Sequence, residues 1–561
     1  MKAKIFTANF LWFLYSATKT NTWKRAIRNV ESAQATILQQ LLSGNSGTEF
    51  GKKHCFDAIG SVEDFQKAVP IQSYEDALPY IDKIAAGAQN ILTSDSVRRF
   101  GISSGSTKAS KLVPYTASLL ADFQEGINPW MYNLMKSHPR ILGGKAYWSV
   151  TPVGGKQRYS SGGVPIGFDD ERSYFGKFTQ WVLGTVMATP SELAFITDMD
   201  TFRYVTLRFL LQERSLTWIS VWNPTFLTLL LSPLEKQFGR LIEDVRTGSL
   251  SVNPGVAPEI EKLIRKALRK LPKRADELAN IRAGQKTNIY EKIWPKLKLI
   301  SCWAHGNSGE GVKYLRTYFP NVVIEPKGLI ATEAFVSFPL RGEESALSVN
   351  SHFFEFERIE DKAIALAHQL EIGEKYSVIV TTSGGFYRYQ LNDIIEVLGF
   401  EAECPLIRFV GKQDKVVDIC GEKLNEQFVR DVIRQVISQF GFMPIFWMVA
   451  PERLSEQVAG YTLFVQFKRG IIADDNILRM MCEKSDHALR ENYHYDYCRR
   501  LGQLGHPNVF LIDADQDAFQ VYLSTCAELG QRLGDIKSVA LHQYFHWSSK
   551  FQGSFLTEHP G

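Results

Sequence analysis

Between Gly101 and Thr116 the chain reads GISSGSTKASKLVPYT. Ser103, Ser104, Ser106 and Thr107 cluster about Gly105, and Lys108 and Lys111 follow within a few residues. Glycine lets successive backbone N–H groups turn toward one anion, hydroxyls add hydrogen bonds, and lysines add point charge. These are the parts of a polyphosphate cradle, although a solvated Ser/Gly/Lys linker has the same composition. The ATPase P-loop pattern G-x-x-x-x-G-K-[ST] fails here. Counted from Gly101, its second glycine falls on Ser106 and its lysine on Thr107.

Two carboxylates further along could complete such a site. Thr332 and Glu333 lie just past the strand-like NVVIEP, where a carboxylate could hold the magnesium that bridges phosphate oxygens. After the strand-like YSVIVTT come Ser383, Gly384, Gly385, Phe386, Tyr387, Arg388, Tyr389, Gln390, Leu391, Asn392 and Asp393. An aspartate followed by Ile394 and Ile395 is an improbable core residue unless it is paired. It could accept both hydroxyls of a ribose while Arg388 meets a phosphate or carboxylate, or the two could form a structural ion pair. Spacing leaves both open. The turn GNSGEG is not a hydrolase nucleophile elbow, because Glu310 stands where G-x-S-x-G needs glycine.

The elements that must position these groups follow from periodicity. Helical spacing is expected over Trp23 to Leu42, with NSGTEFGKKHCF as a loop ending it, and Val97 to Ile102 as a strand leading into the cradle. Leu119, Phe123, Ile127, Trp130 and Leu134 predict a helix after it, with Pro129 marking a kink or a restart. The turn clusters of Ala146 to Gly167 suit surface loops or a pocket lining. A strand and then a helix beginning near Asn223 and Pro224 are expected in TWISVWNPTFLTLLL. IEKLIRKALRKL predicts a basic amphipathic helix with Ile260, Leu263, Ile264, Ala267, Leu268 and Leu271 on one face. From Leu297 the order strand, turn, helix, strand implies a largely parallel sheet with ligands at the strand ends. After IRFVGKQDKVVDICGEKLNEQFV a smaller α/β region is expected, with Tyr461, Leu463, Val465 and Phe467 alternating as a strand.

At 561 residues and 45% hydrophobic content the chain is long enough for about two to four domains with real cores. Its 64 basic and 60 acidic residues give a net charge of +4, which argues against nucleic acid as a partner. The seven cysteines are scattered without a C-x-x-C pair, as expected of reduced thiols in a cytoplasmic protein and not of a disulfide frame or zinc site. The N-terminal IFTANFLWFLYSA resembles a signal peptide, but Asn9 interrupts it and no A-x-A site follows, so an amphipathic helix is the expectation. No apolar run reaches the about 18 residues of a membrane span.

SSGSTKASK, then ATE, then YRYQLND followed by RFVGKQDKVVDICGEKLNE resembles, in order, the adenylate-forming superfamily of acyl-CoA ligases, luciferases and peptide-synthetase adenylation domains. More narrowly, NSGTEFGKKHCF, the cradle ending KLVPYT, and GGFYRYQLNDIIEV look like the auxin-responsive (Gretchen Hagen type) acyl-acid amido synthetase family in its bacterial form. The resemblance implies an α/β fold: an N-terminal ATP- and acyl-acid-binding domain over 1–410 and a smaller, mobile C-terminal domain over 411–561. It implies ATP and Mg2+, with a small carboxylic acid and an amine, an amino acid by this resemblance, as substrates. Ser103, Ser104, Gly105, Ser106, Thr107 and Lys108 would hold phosphates, Glu333 the metal, and Asp393 the ribose, with Thr332, Tyr387 and Arg388 beside the nucleotide. Asp414 falls at the hinge position, and Lys423 and Lys537 are the basic groups for the adenylate phosphate. Lys108 stands where the superfamily has glycine, and Lys412 where it has arginine. An acyl-CoA ligase and a nucleotide-binding protein without turnover are the rival expectations. The acid, the amine and the oligomeric state are not legible.

Overall fold

The strand, turn, helix, strand pattern after Leu297 becomes half of a parallel sheet. The computed structural model describes residues 2–103, 111–149, 158–167, 177–222, 224–231, 233–284, 289–304, 309–412, 416–441, 444–454, 458–470, 474–529 and 539–556. Among these, Lys145–Trp148, Leu216–Ser220, Leu299–Cys302 and Val323–Pro326 lie side by side in that order, all parallel. Every residue of Leu299–Cys302 is buried, as a strand covered on both faces requires.

A seven-stranded sheet carries the second half of the larger unit. Its order is Ile364–Leu366, Phe353–Arg358, Lys375–Thr381, Tyr389–Glu401, Cys404–Lys412, Glu344–Leu347, Ser337–Arg341. A third sheet runs Lys111–Tyr115, Arg99–Ser103, Pro165–Ile166, Arg158–Tyr159, so the expected strand into the cradle is present. Contacts divide the α/β chain into a larger unit, 1–102 with 112–411, and a smaller one, 103–111 with 412–561. The smaller unit is built on Phe446–Arg453, Ala459–Gln466, Asn508–Ile512 and Gly553–Phe555. Strand alternation sends Tyr461, Leu463 and Val465 into one apolar cluster and Phe464 into another, so both faces of this sheet are covered.

Local chemistry explains where helices depart from the expected bounds. The N-terminal run is helical over Lys2–Ala26, and a second helix starts at Val30, because Asn29 leaves helical geometry and accepts a hydrogen bond from Ser32 N. The expected loop after it contains the short helix Glu49–Lys53, capped by Thr48. Helix Ala117–Ser137 buries Leu119, Phe123, Ile127, Trp130 and Leu134 and continues through Pro129. The basic helix stops at Ala267, with Leu268 already extended, and a new helix starts at Pro272; Leu263 of the basic helix's expected apolar face is 49% exposed. No described helix is long and apolar enough to cross a membrane.

Thr116 joins two parts of the larger unit. Its Oγ1 accepts from Leu119 N (3.0 Å), capping Ala117–Ser137, and donates to Ser383 O (3.3 Å). Thr116→Ala removes both bonds and is expected to lower the stability of this unit by about 1–2 kcal/mol. Denaturant unfolding followed by tryptophan fluorescence checks this, with an unshifted midpoint counting against it.

Candidate functional site

Residues 330–335 form a tight loop because Ile330 and Phe335 bridge and Ala331 N donates to Ala334 O (3.0 Å). Two outside groups fix it. Tyr115 Oη donates to Thr332 O (2.5 Å), and Phe335 N donates to His352 Nε2 (3.0 Å). The strand Arg99–Ser103 passes so close that a Cβ on Gly101 would lie 2.6 Å from Tyr115 Cε2 and 3.0 Å from Thr332 Cγ2. Glycine is needed at 101 for space, not for its φ. In this loop Glu333 is 6% exposed, and its carboxylate accepts no hydrogen bond from any described residue. Burying a carboxylate without donors is costly, and a hard cation would relieve that cost.

His352, which holds the loop, was not legible in sequence. It sits in the apolar run SHFFEF, and only its partners reveal it. Full burial pushes its imidazole pKa down to about 3, so the ring is neutral and Nε2 serves as acceptor. Its Nδ1 lies 3.7 Å from Asp122 Oδ2. Burial pushes the Asp122 carboxyl up to about 7, against hydrogen bonds from Ser383 that pull it down.

The segment Ser383–Asp393 divides between frame and site. Gly385 has φ +97°, and a Cβ there would lie 2.5 Å from Leu92 Cβ; one on Gly384 would lie 2.9 Å from Pro114 O. The turn therefore packs directly on the strand that follows the cradle. Tyr387 is buried, stacks on Phe50 (4.9 Å, 10°) and donates from Oη to Leu92 O (2.8 Å). Arg388 donates from Nε to both carboxylate oxygens of Glu355 (3.2 and 2.9 Å) and from Nη2 to Glu355 Oε1 (3.0 Å). Its Nη1 reaches Gln66 O (3.0 Å) and Val69 O (2.8 Å). The side chains of Tyr387 and Arg388, both expected beside the nucleotide, are engaged by these partners inside the protein. These contacts correct the alternative of an Arg388–Asp393 pair, since the carboxylate that Arg388 pairs with is Glu355.

Asp393 is placed differently. It follows Asn392, which has φ +60°, at the point where Tyr389–Glu401 slips register against Lys375–Thr381. A bulge of this kind re-aims the side chains that follow it. Asp393 is 4% exposed, on the buried side of the strand with Leu391, Ile395 and Val397. In the smaller unit Lys423 has φ +46° and ends the turn before Leu424–Asn425. Ser103 ends its strand, and its side chain is not described. Ser104, Gly105, Ser106, Thr107, Lys108, Asp414 and Lys537 lie outside the described residues.

Comparison with known proteins places this frame. Residues 20–324, more than half of the chain, match the model of the GH3 family N-terminal domain. The chain belongs to the GH3 family. Residues 345–412 match the GH3 family central domain and 427–543 the GH3 family C-terminal domain. The Arabidopsis thaliana indole-3-acetic acid-amido synthetase GH3.10 is 24% identical over 520 residues, covering 85% of this chain and 87% of its own. The Nicotiana attenuata jasmonoyl–L-amino acid synthetase JAR4 is 25% identical over 70% of this chain and 71% of its own. The solved structure of the AtGH3.15 acyl acid amido synthetase in complex with 2,4-DB superposes with a TM-score of 0.65 at 19% identity, covering 94% of each chain. The fold is thus the GH3 α/β fold, with a large N-terminal and a smaller C-terminal domain, and its homologues are ligases that form amide bonds.

Arg388→Ala strands the Glu355 carboxylate in the interior and is expected to cost about 3–5 kcal/mol of stability. Unchanged unfolding with weakened ATP binding would instead place Arg388 on the nucleotide. The raised Asp122 pKa favours the protonated fold: the stability it contributes is full below the ordinary aspartate range and is lost as pH rises through about 7. Asp122→Asn is expected to flatten that loss, seen as a smaller fall in melting temperature between acidic and mildly alkaline buffer.

Proposed function

We propose that this protein is an ATP-dependent acyl-acid amido synthetase that adenylates a small carboxylic acid and transfers the acyl group to an amine, that of an amino acid. The observation that carries the reading is Glu333, a buried carboxylate without a described donor in a loop fixed by Tyr115 and His352. It agrees with the amido synthetases named among the relatives. The assignment to the family's bacterial form rests on NSGTEFGKKHCF, the cradle ending KLVPYT, and GGFYRYQLNDIIEV.

In the first half-reaction the acid's carboxylate oxygen attacks the α-phosphorus of ATP, the bond to the bridging oxygen breaks, and pyrophosphate leaves. In the second, the amine nitrogen attacks the acyl carbonyl, AMP leaves and the amine gives up a proton. No enzyme nucleophile is required. Glu333 is the ligand for Mg2+, which when bound neutralises charge on the phosphate oxygens. Its fit is that of a hard oxygen donor in need of a counter-charge. Asp393 accepts the ribose hydroxyls from a position set by the Asn392 bulge. Ser103, Ser104, Gly105, Ser106, Thr107 and Lys108 supply donors to the phosphates, and Thr332 keeps the Glu333 loop in register through its carbonyl. Lys423 and Lys537 are the smaller unit's basic groups for the adenylate phosphate, and Asp414 its hinge. Donors fixed before the reaction stabilise developing charge without reorganisation.

Exchange of labelled pyrophosphate into ATP across a panel of acids tests the reading. An exchange that depends on one acid class is expected, followed by AMP release with an amino acid and not with coenzyme A. Glu333→Gln is expected to lower exchange about 10²–10³-fold. Asp393→Asn is expected to weaken ATP use about 10–100-fold, the worth of hydrogen bonds to a charged acceptor. Exchange unaffected by both substitutions would refute the site.

A further inference from the structure

The cysteines look isolated in the sequence, but the smaller unit brings two of them together. Cys420 lies in the turn Asp418–Lys423, and Cys498 lies on the helix Tyr493–Arg500. Their sulfurs and a carboxylate oxygen of Glu422 are all within 4.8 Å of one another, and all three residues are buried. Bonds of about 2.3 Å to sulfur and about 2.0–2.2 Å to oxygen bring tetrahedral donors within this range. His494 precedes Cys498 by four residues on the same helix, and residues so spaced share a face. Its Nε2 is buried and makes no hydrogen bond to a described residue, but it lies outside the set of donor atoms within 4.8 Å of one another. Cys420-x-Glu422 in a turn with Cys498 on a helix supplies three of the four donors that a zinc ion takes.

We propose that Cys420, Glu422 and Cys498 bind one thiophilic divalent cation of the Zn2+ class, with the fourth position taken by water. The present hydrogen bonds favour the exchange. Cys420 Sγ donates only a weak bond to Glu422 Oε2 (3.3 Å), and Cys498 Sγ one to Cys420 O (3.6 Å). Binding sends both thiol protons to solvent and forms two metal–thiolate bonds. Loss of the Cys420 proton also frees a lone pair on Oε2, the oxygen that accepts from Cys420 N (2.9 Å). Oε1 stays bonded to Ile419 N (2.8 Å) and to the Tyr461 hydroxyl, which hold the carboxylate in place. Two thiolates and one carboxylate on a dication leave one negative charge, and Lys423, whose charge acts on Cys498 and His494, offsets it. Soft sulfur donors select this class of ion over Mg2+. The site ties the turn that ends at Lys423 to the helix that carries Cys498.

Titrating the reduced, chelator-stripped full chain with Co2+ alone, then with Zn2+, tests this. The expected result is one equivalent of Co2+ bound with thiolate-to-cobalt charge-transfer absorption, bleached by one equivalent of Zn2+. Cys498→Ser is expected to remove about half of that absorption, one of two thiolates, while Cys482→Ser, a buried thiol outside the cluster, leaves it intact. Absence of the charge-transfer band in the unsubstituted chain overturns the proposal whether or not the variants fold, as does a band unchanged in a folded Cys498→Ser.

Discussion

The guanidinium of Arg388 is the fixed point of the larger unit. All three of its nitrogens donate, to the Glu355 carboxylate and to the carbonyls of Gln66 and Val69, and Gln66 Nε2 also donates to Glu355 Oε1 (2.8 Å). A pair this deeply buried is tolerated because the planar fork matches the carboxylate and the remaining donors find carbonyls. One residue therefore pins the segment around Gln66–Val69, the strand Phe353–Arg358 and the start of Tyr389–Glu401. The backbone repeats the tie, since Gln72 N donates to Arg388 O and Gln390 N to Gln72 O (both 2.9 Å).

What this frame positions is distinguished by what it leaves unmet. Glu355 and Glu422 are buried carboxylates surrounded by donors. Glu333 is buried to a similar degree in a loop just as firmly held, yet no described donor reaches it. The same loop depends on a close approach at Gly101 and on a neutral histidine, so the strand that leads into the cradle and the loop that carries Glu333 cannot shift independently. Rigid supports around a buried carboxylate that no described donor meets are the arrangement expected where a substrate or ion completes the electrostatics.

Glycine and left-handed residues mark the same places. Gly384 and Gly385 allow the turn to lie on Pro114 and Leu92, while Asn392 and Lys423 take positive φ at the bulge before Asp393 and at the end of the Cys420 turn. Such conformations cost free energy and persist only where surrounding contacts impose them. Here they lie next to, or in one turn with, the residues proposed for nucleotide and metal binding, Asp393 and Cys420.

The sequence by itself determined the order of elements and the residue types of the site. Apolar periodicity located the parallel strands around Leu299, the helix carrying Leu119 to Leu134 and the alternating strand at Tyr461, because these patterns depend only on which neighbours share a face. Motif order singled out Glu333 and Asp393 as candidates. Tertiary structure alone decided partnership. Arg388 and Asp393 are five residues apart yet do not pair, whereas Glu355, 33 residues from Arg388, supplies the counter-charge. Likewise His352 reaches the Glu333 loop, and Cys420 meets Cys498 across 78 residues. Spacing along a chain fixes which side of an element a residue occupies, but charge pairs and metal ligands are set by which elements the core packs together, and that information resides in no single segment.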